Sequence, residues 1–121
     1  MLSIALLYAT ALQAGSAGNL SGAEPSLQCD TGPVRRSYGG HSWLVYSCAD
    51  RVSLAIVAER DNPAFEFYFI FHPVNGQYVL YGEGIGARAV SSAAAEELGG
   101  LNSDQIDELI RATQTRATKG S

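Results

Sequence analysis

A chain of 121 residues has room for one domain. Apolar residues make up 46% and charged residues 17%, which supplies a core and excludes a solvated, disordered chain. The 8 basic residues against 12 acidic ones give a net charge of −4, and no basic run exceeds Arg35-Arg36, so nucleic acid and polybasic membrane binding are not expected.

Residues 1–17 carry no charged side chain, and 2–12 form a short apolar run. A bilayer-spanning helix needs about 20 apolar residues, so this run is too short for an anchor and no integral span is expected. Its length suits the apolar part of a secretory signal, with Gly15, Ser16 and Ala17 supplying small residues before a cut. The reading is a signal peptide over 1–17 and an exported protein, periplasmic or secreted. No Lys or Arg precedes the run, and the alternative is an amphiphilic first element that stays in the fold. Asn19-Leu20-Ser21 matches a glycosylation acceptor, meaningful only in a eukaryotic secretory pathway. An irregular segment is expected over 18–40.

Cys29 and Cys48 are the two cysteines, and in an exported chain they are expected to form one disulfide. Closing a loop of that length stabilises a fold by about 3 kcal/mol in the chain-entropy model. Two free thiols, or a metal site with Asp30 and His41, are the alternatives. The usual close-spaced Cys-x-x-Cys pair of zinc sites does not occur here, and no metal or cofactor is expected.

From Ser42 the residues alternate with the period of a strand, giving strands at 42–48 and 52–59 joined by Ala49-Asp50-Arg51. Trp43 is read as core. Arg60-Asp61-Asn62-Pro63 is a turn by composition. The next strand, 64–72, holds all four phenylalanines at alternate positions, Phe65, Phe67, Phe69 and Phe71. A strand places them on one face, and burying four such rings contributes roughly 6 to 12 kcal/mol gross. Asn75-Gly76 then signals a two-residue hairpin to a fourth strand at 77–83. That turn sets Val74 opposite Gln77, so paired numbers sum to 151. Phe71 meets Leu80, and Phe69 meets Gly82, where a missing side chain leaves room for close approach. Tyr68 meets Glu83, Ile70 meets Tyr81, and His72 meets Val79 on the reverse face.

Two helices follow. The first, 91–98, is alanine-rich, with Ser91 or Ser92 as N-cap and Gly99 and Gly100 as its stop. The second, 103–116, opens on a capping box of Asn102 and Gln105, with Leu101 and Ile106 in the staple positions. Ile106, Leu109, Ile110 and Thr113 form its buried stripe, and residues 118–121 are expected to fray. The fold class is α+β, a four-stranded antiparallel meander with both helices on the phenylalanine face, one domain over 41–117.

Gly82-Glu83-Gly84-Ile85-Gly86-Ala87 has the spacing of a dinucleotide fingerprint, but the preceding strand is a hairpin arm and no parallel strand follows. Close packing and chain reversal account for these glycines better. Glu66 and Glu83 are expected on one face as diagonal neighbours, about 7 to 8 Å apart between backbones. Such a pair, or His72, is the material of a small hydrolase, and His41 is a further candidate base. Without a convergent nucleophile, no catalytic residue is assigned. The face opposite the core, carrying Glu66, Tyr68, Ile70, His72, Val79, Tyr81 and Glu83, has a recognition composition of tyrosine, aliphatic neighbours and a charged margin. The alternative is that residues 18–36 cover it. The expected function is a small exported binding module, an enzyme inhibitor or envelope accessory protein, whose partner is a protein or small envelope ligand. The alternatives are the hydrolase, and an intracellular subunit whose N-terminal run is buried by a partner chain.

Overall fold

The computed structural model describes residues 27–120. The expectations for the signal at 1–17 and the acceptor at Asn19 lie outside the described residues. The elements in chain order are β1 Thr31–Tyr38, β2 His41–Ser47, β3 Leu54–Ala58, β4 Phe67–Val74, β5 Gln77–Gly84, α1 Arg88–Leu98 and α2 Ser103–Gly120. The strands form one antiparallel sheet in that same order. The architecture is α+β, with five strands where the sequence pattern implies four.

β1 falls inside the stretch expected to be irregular. Pro33 lacks an N–H to give to a ladder, and the register with β2 shifts between Thr31 and Val34. Adjacent Arg35 and Arg36 then remove the apolar alternation that marks the other strands. Backbone pairing with β2, not side-chain patterning, makes this strand.

The β4–β5 hairpin has the register that Asn75-Gly76 dictates, from Val74 opposite Gln77 to Phe67 opposite Gly84. Both turn residues have positive φ, 54° and 81°, as a type I′ turn requires. Two strand starts are later than the pattern implies. β3 begins at Leu54 because Asp50 accepts the amides of Val52 and Ser53, holding both in the turn. β4 begins at Phe67 because the Asn62 turn runs on: Phe65 N–H donates to the Asn62 carbonyl, and Phe67 N–H to that of Ala64. Phe65 therefore leaves the phenylalanine face and is 37% exposed, with the Arg60 guanidinium 5.6 Å from its ring centre. Ala64 is buried instead.

Phe69 and Phe71 are buried in one cluster with Trp43, Val45, Leu54 and Ile56 of the sheet and Ala94, Leu98, Ile106, Leu109 and Ile110 of the helices. Phe67 packs at its margin. The helices thus cover the phenylalanine face. The α2 capping box is formed in both directions at 2.8 Å, with Gln105 N–H donating to Asn102 Oδ1 and Asn102 N–H to Gln105 Oε1. Thr113 Oγ1 lies 2.7 Å from Ser47 Oγ and ties α2 to β2. The helix extends to Gly120, past the expected end at 116.

α1 starts at Arg88, three positions before Ser91, and its N-cap is Ala87 without a side-chain bond. The start is set by tertiary contact: Ala87 N–H donates to the Pro63 carbonyl. Ser91 lies buried within the helix and donates to the Arg88 carbonyl. Gly39, in the β1–β2 turn at φ 62°, abuts α1 so closely that a Cβ there would stand 2.7 Å from Ala94 N. Cys29 and Cys48 are joined, pinning the chain before β1 to the end of β2.

Candidate functional site

Side chains of directly paired residues project from the same face of a sheet. On the face away from the helices, Arg35, Leu44, Val57, Tyr68 and Glu83 form a row across all five strands. Tyr46, Ala55, Ile70 and Tyr81 form the next row, and His72 and Val79 sit side by side beyond it. Tyr68 and Tyr81 are 40% and 51% exposed. Leu44, Tyr46, Val57, Ile70 and Val79 are half-buried by one another and their neighbours.

Of the residues expected on this face, Tyr68, Ile70, His72, Val79, Tyr81 and Glu83 are brought together there. Tyr68 Oη donates to Glu83 Oε1 at 3.4 Å. Glu66 is not among them. It lies in the turn ahead of β4, outside the ladder, so the expected diagonal pairing with Glu83 across the hairpin does not form. Leu44, Tyr46 and Val57 also belong to the patch; in alternating strands the inward turn of Trp43 and Val45 implies the outward direction of Leu44 and Tyr46, and that of Ile56 and Ala58 implies the outward direction of Val57.

The patch has a charged group at each end. Arg35 Nη2 donates to Glu59 Oε1 at 2.9 Å, and its Nε donates to Glu59 Oε2. This forked bond, with help from the guanidinium charge, outweighs the opposing effect of burial and holds the Glu59 carboxyl below its ordinary range. At the other end, Asp50, Ser53 and His72 form a cluster. Ser53 Oγ lies 2.6 Å from Asp50 Oδ2 and 2.7 Å from His72 Nδ1. With its one proton given to the carboxylate, Ser53 Oγ accepts from Nδ1–H of His72. Ser53 is fully buried, so its hydroxyl is placed as a connector between loop and sheet. Burial pushes the Asp50 carboxyl up, but the Ser53 hydroxyl, the Val52 and Ser53 amides and the His72 charge outweigh it and hold the pKa below its ordinary value. His41 stands at the start of β2, away from this cluster. Among the described residues, no three His, Cys, Asp or Glu side chains gather as metal ligands.

The glycine-rich segment serves packing. A Cβ at Gly84 would stand 2.4 Å from the Glu66 carbonyl oxygen, and one at Gly86 would stand 2.7 Å from the backbone of Ala64. The space over Gly82 is taken by the rings of Phe67 and Phe69, with Phe67 Cε1 3.0 Å from where a Cβ would be. Beyond them, α1 stands off from β5 and leaves a groove of about 700 Å³, lined by Phe67, Leu80, Gly82, Arg88, Ser92 and Ala95 among others.

The fold and site define a small, disulfide-bonded α+β domain with one sheet face beneath helices and the other rich in tyrosine. Comparison with family models, with curated proteins and with solved structures finds no match to this chain.

Proposed function

We propose that this protein is a small exported binding module that docks a protein partner on its tyrosine-bearing sheet face. The single observation that carries the reading is the pair of rows Leu44, Val57, Tyr68 and Tyr46, Ala55, Ile70, Tyr81, apolar at the centre and charged at the rim. Tyrosines over aliphatic side chains bury a large area at low entropic cost, which is how binding surfaces concentrate affinity. The Cys29–Cys48 bond supports an oxidising compartment, and with it the export reading. Inhibition of an enzyme or an accessory role in a cell envelope are the forms such docking would take.

The hydrolase alternative has less support. Glu66 lies off the sheet, and the Ser53 hydroxyl beside His72 is fully buried.

The test places a photo-crosslinking phenylalanine analogue at Tyr81 or, on exposed α2, at Arg111, in the cell that makes the protein. An adduct of defined mass from position 81, absent from position 111 and lost with Val79→Glu, is the expected result. Equal adducts from both positions would overturn the assignment of the face. Intact mass of the mature protein tests export independently, since a cut after Ala17 removes a fixed mass.

A further inference from the structure

Among the described residues β5 is an edge strand of the sheet. In a two-residue hairpin the closing pair exchanges both backbone hydrogen bonds. Val74 and Gln77 are that pair, so Gln77, Val79, Tyr81 and Glu83 turn their N–H and C=O groups toward β4. Tyr78, Leu80 and Gly82 turn theirs away from it. β5 is the last strand of the sheet, so among the described residues no strand meets those outward groups. Edge strands are commonly blunted by proline, a bulge or basic side chains. The opposite edge, β1, has all three in Pro33, the shift after Thr31, and Arg35 with Arg36. β5 has no proline, bulge or basic side chain; its one charged side chain, Glu83, belongs to the tyrosine face, and its pairing with β4 is unbroken from Gln77 to Gly84.

The groove of about 700 Å³ runs beside this edge on the helix side of the sheet. Phe67 and Leu80 supply apolar surface, and Arg88, Ser92 and Ala95 of α1 form the facing wall. A strand added to β5 would direct every second side chain into that groove. Arg88 has no ion-pair partner among the described residues and stands at the end where β5 gives way to α1. We propose that β5 accepts an extended peptide segment of a partner protein as an added strand, with an apolar side chain in the groove and an acidic side chain against Arg88. Main-chain bonds to Tyr78, Leu80 and Gly82 give affinity, and the groove gives selectivity, the division of labour general to strand addition.

The probe is a fluorescein-labelled Ser-Glu-Thr-Val-Thr-Val-Thr peptide, read by anisotropy on the whole protein. It is compared with a version carrying Lys for Glu and one carrying Pro for the first Val. Saturable binding of the Glu probe, about tenfold or more weaker for the Pro probe, is expected. Arg88→Glu should weaken the Glu probe about tenfold and strengthen the Lys probe. A glutamate in the first turn favours the helix, and an unchanged thermal melt checks that the fold is kept. Hydrogen exchange at the Tyr78, Leu80 and Gly82 amides should slow with bound peptide while exchange at Val79 and Tyr81 does not. Binding that ignores Arg88→Glu, or no saturable binding by any probe, overturns the proposal. So does a dimer in sedimentation whose β5 amides are already protected, because the edge then belongs to a second copy of this chain.

Discussion

Asp50 organises a loop, a strand start and the end of the tyrosine face with one carboxylate. Its Oδ1 accepts the Val52 and Ser53 amides, and its Oδ2 accepts the Ser53 hydroxyl that reaches His72. Because its pKa is lowered in the folded protein, it contributes stability above its unfolded value, about 3.9, and that contribution disappears as pH falls through the folded pKa. Urea titrations from pH 2 to 6 should therefore show Asp50→Asn less stable than the parent near pH 6 and the gap narrowing at the acid end. Any slope left in the variant includes Glu59, whose carboxyl is lowered by Arg35 in the same direction. Of this cluster the sequence points to His72 alone, as a candidate base and as part of the recognition face; Asp50 and Ser53 carry no signal. Ser53 and His72 are 19 positions apart, and only the β3–β4 register brings them together. Phe65 misleads in the opposite sense. Period-two spacing includes it with the other phenylalanines, but hydrogen bonds of the Asn62 turn, from Ala64 N–H to Asn62 Oδ1 and from Asn62 Nδ2 to the Ser42 carbonyl, keep that stretch from extending.

At the scale of elements, segments whose signals are local are legible and those made by tertiary contact are not. The β4–β5 register follows from Asn75-Gly76, and the start and buried stripe of α2 follow from Asn102, Gln105 and the spacing of Ile106, Leu109, Ile110 and Thr113. β1 has no such signal, since its pairing is supplied by β2. The start of α1 is hidden for a similar reason, set by the Pro63 carbonyl rather than by a capping side chain. The α2 cap can be measured directly. Asn102→Ala removes the acceptor for Gln105 N–H and should cost about 1 kcal/mol of unfolding free energy in urea, with an unchanged m-value. The tyrosine face was readable in part: six of its side chains come from the hairpin whose register the turn defines, whereas its extension onto β2 and β3 depends on how those strands align.

For the whole molecule, the disulfide is the covalent tie in a domain small enough to need one. It anchors the chain ahead of β1 to the end of β2, beside the Thr113–Ser47 contact that fastens α2. Replacing Cys29 and Cys48 together by Ser should lower the unfolding free energy by about 3 kcal/mol, read as a lower urea midpoint. A midpoint unchanged by that double substitution would mean that packing alone holds this corner.

Strand order that follows chain order has a kinetic consequence. Each strand can zip onto its predecessor across a short connection, so the meander forms through small loop closures. The seating of α2 on β1 and β2, with the contact of α1 at the β1–β2 turn, unites the far ends of the described chain, and it brings the largest entropic toll. Substitutions at that seam should govern how long the native state survives, leaving the hairpins to set how quickly the sheet nucleates.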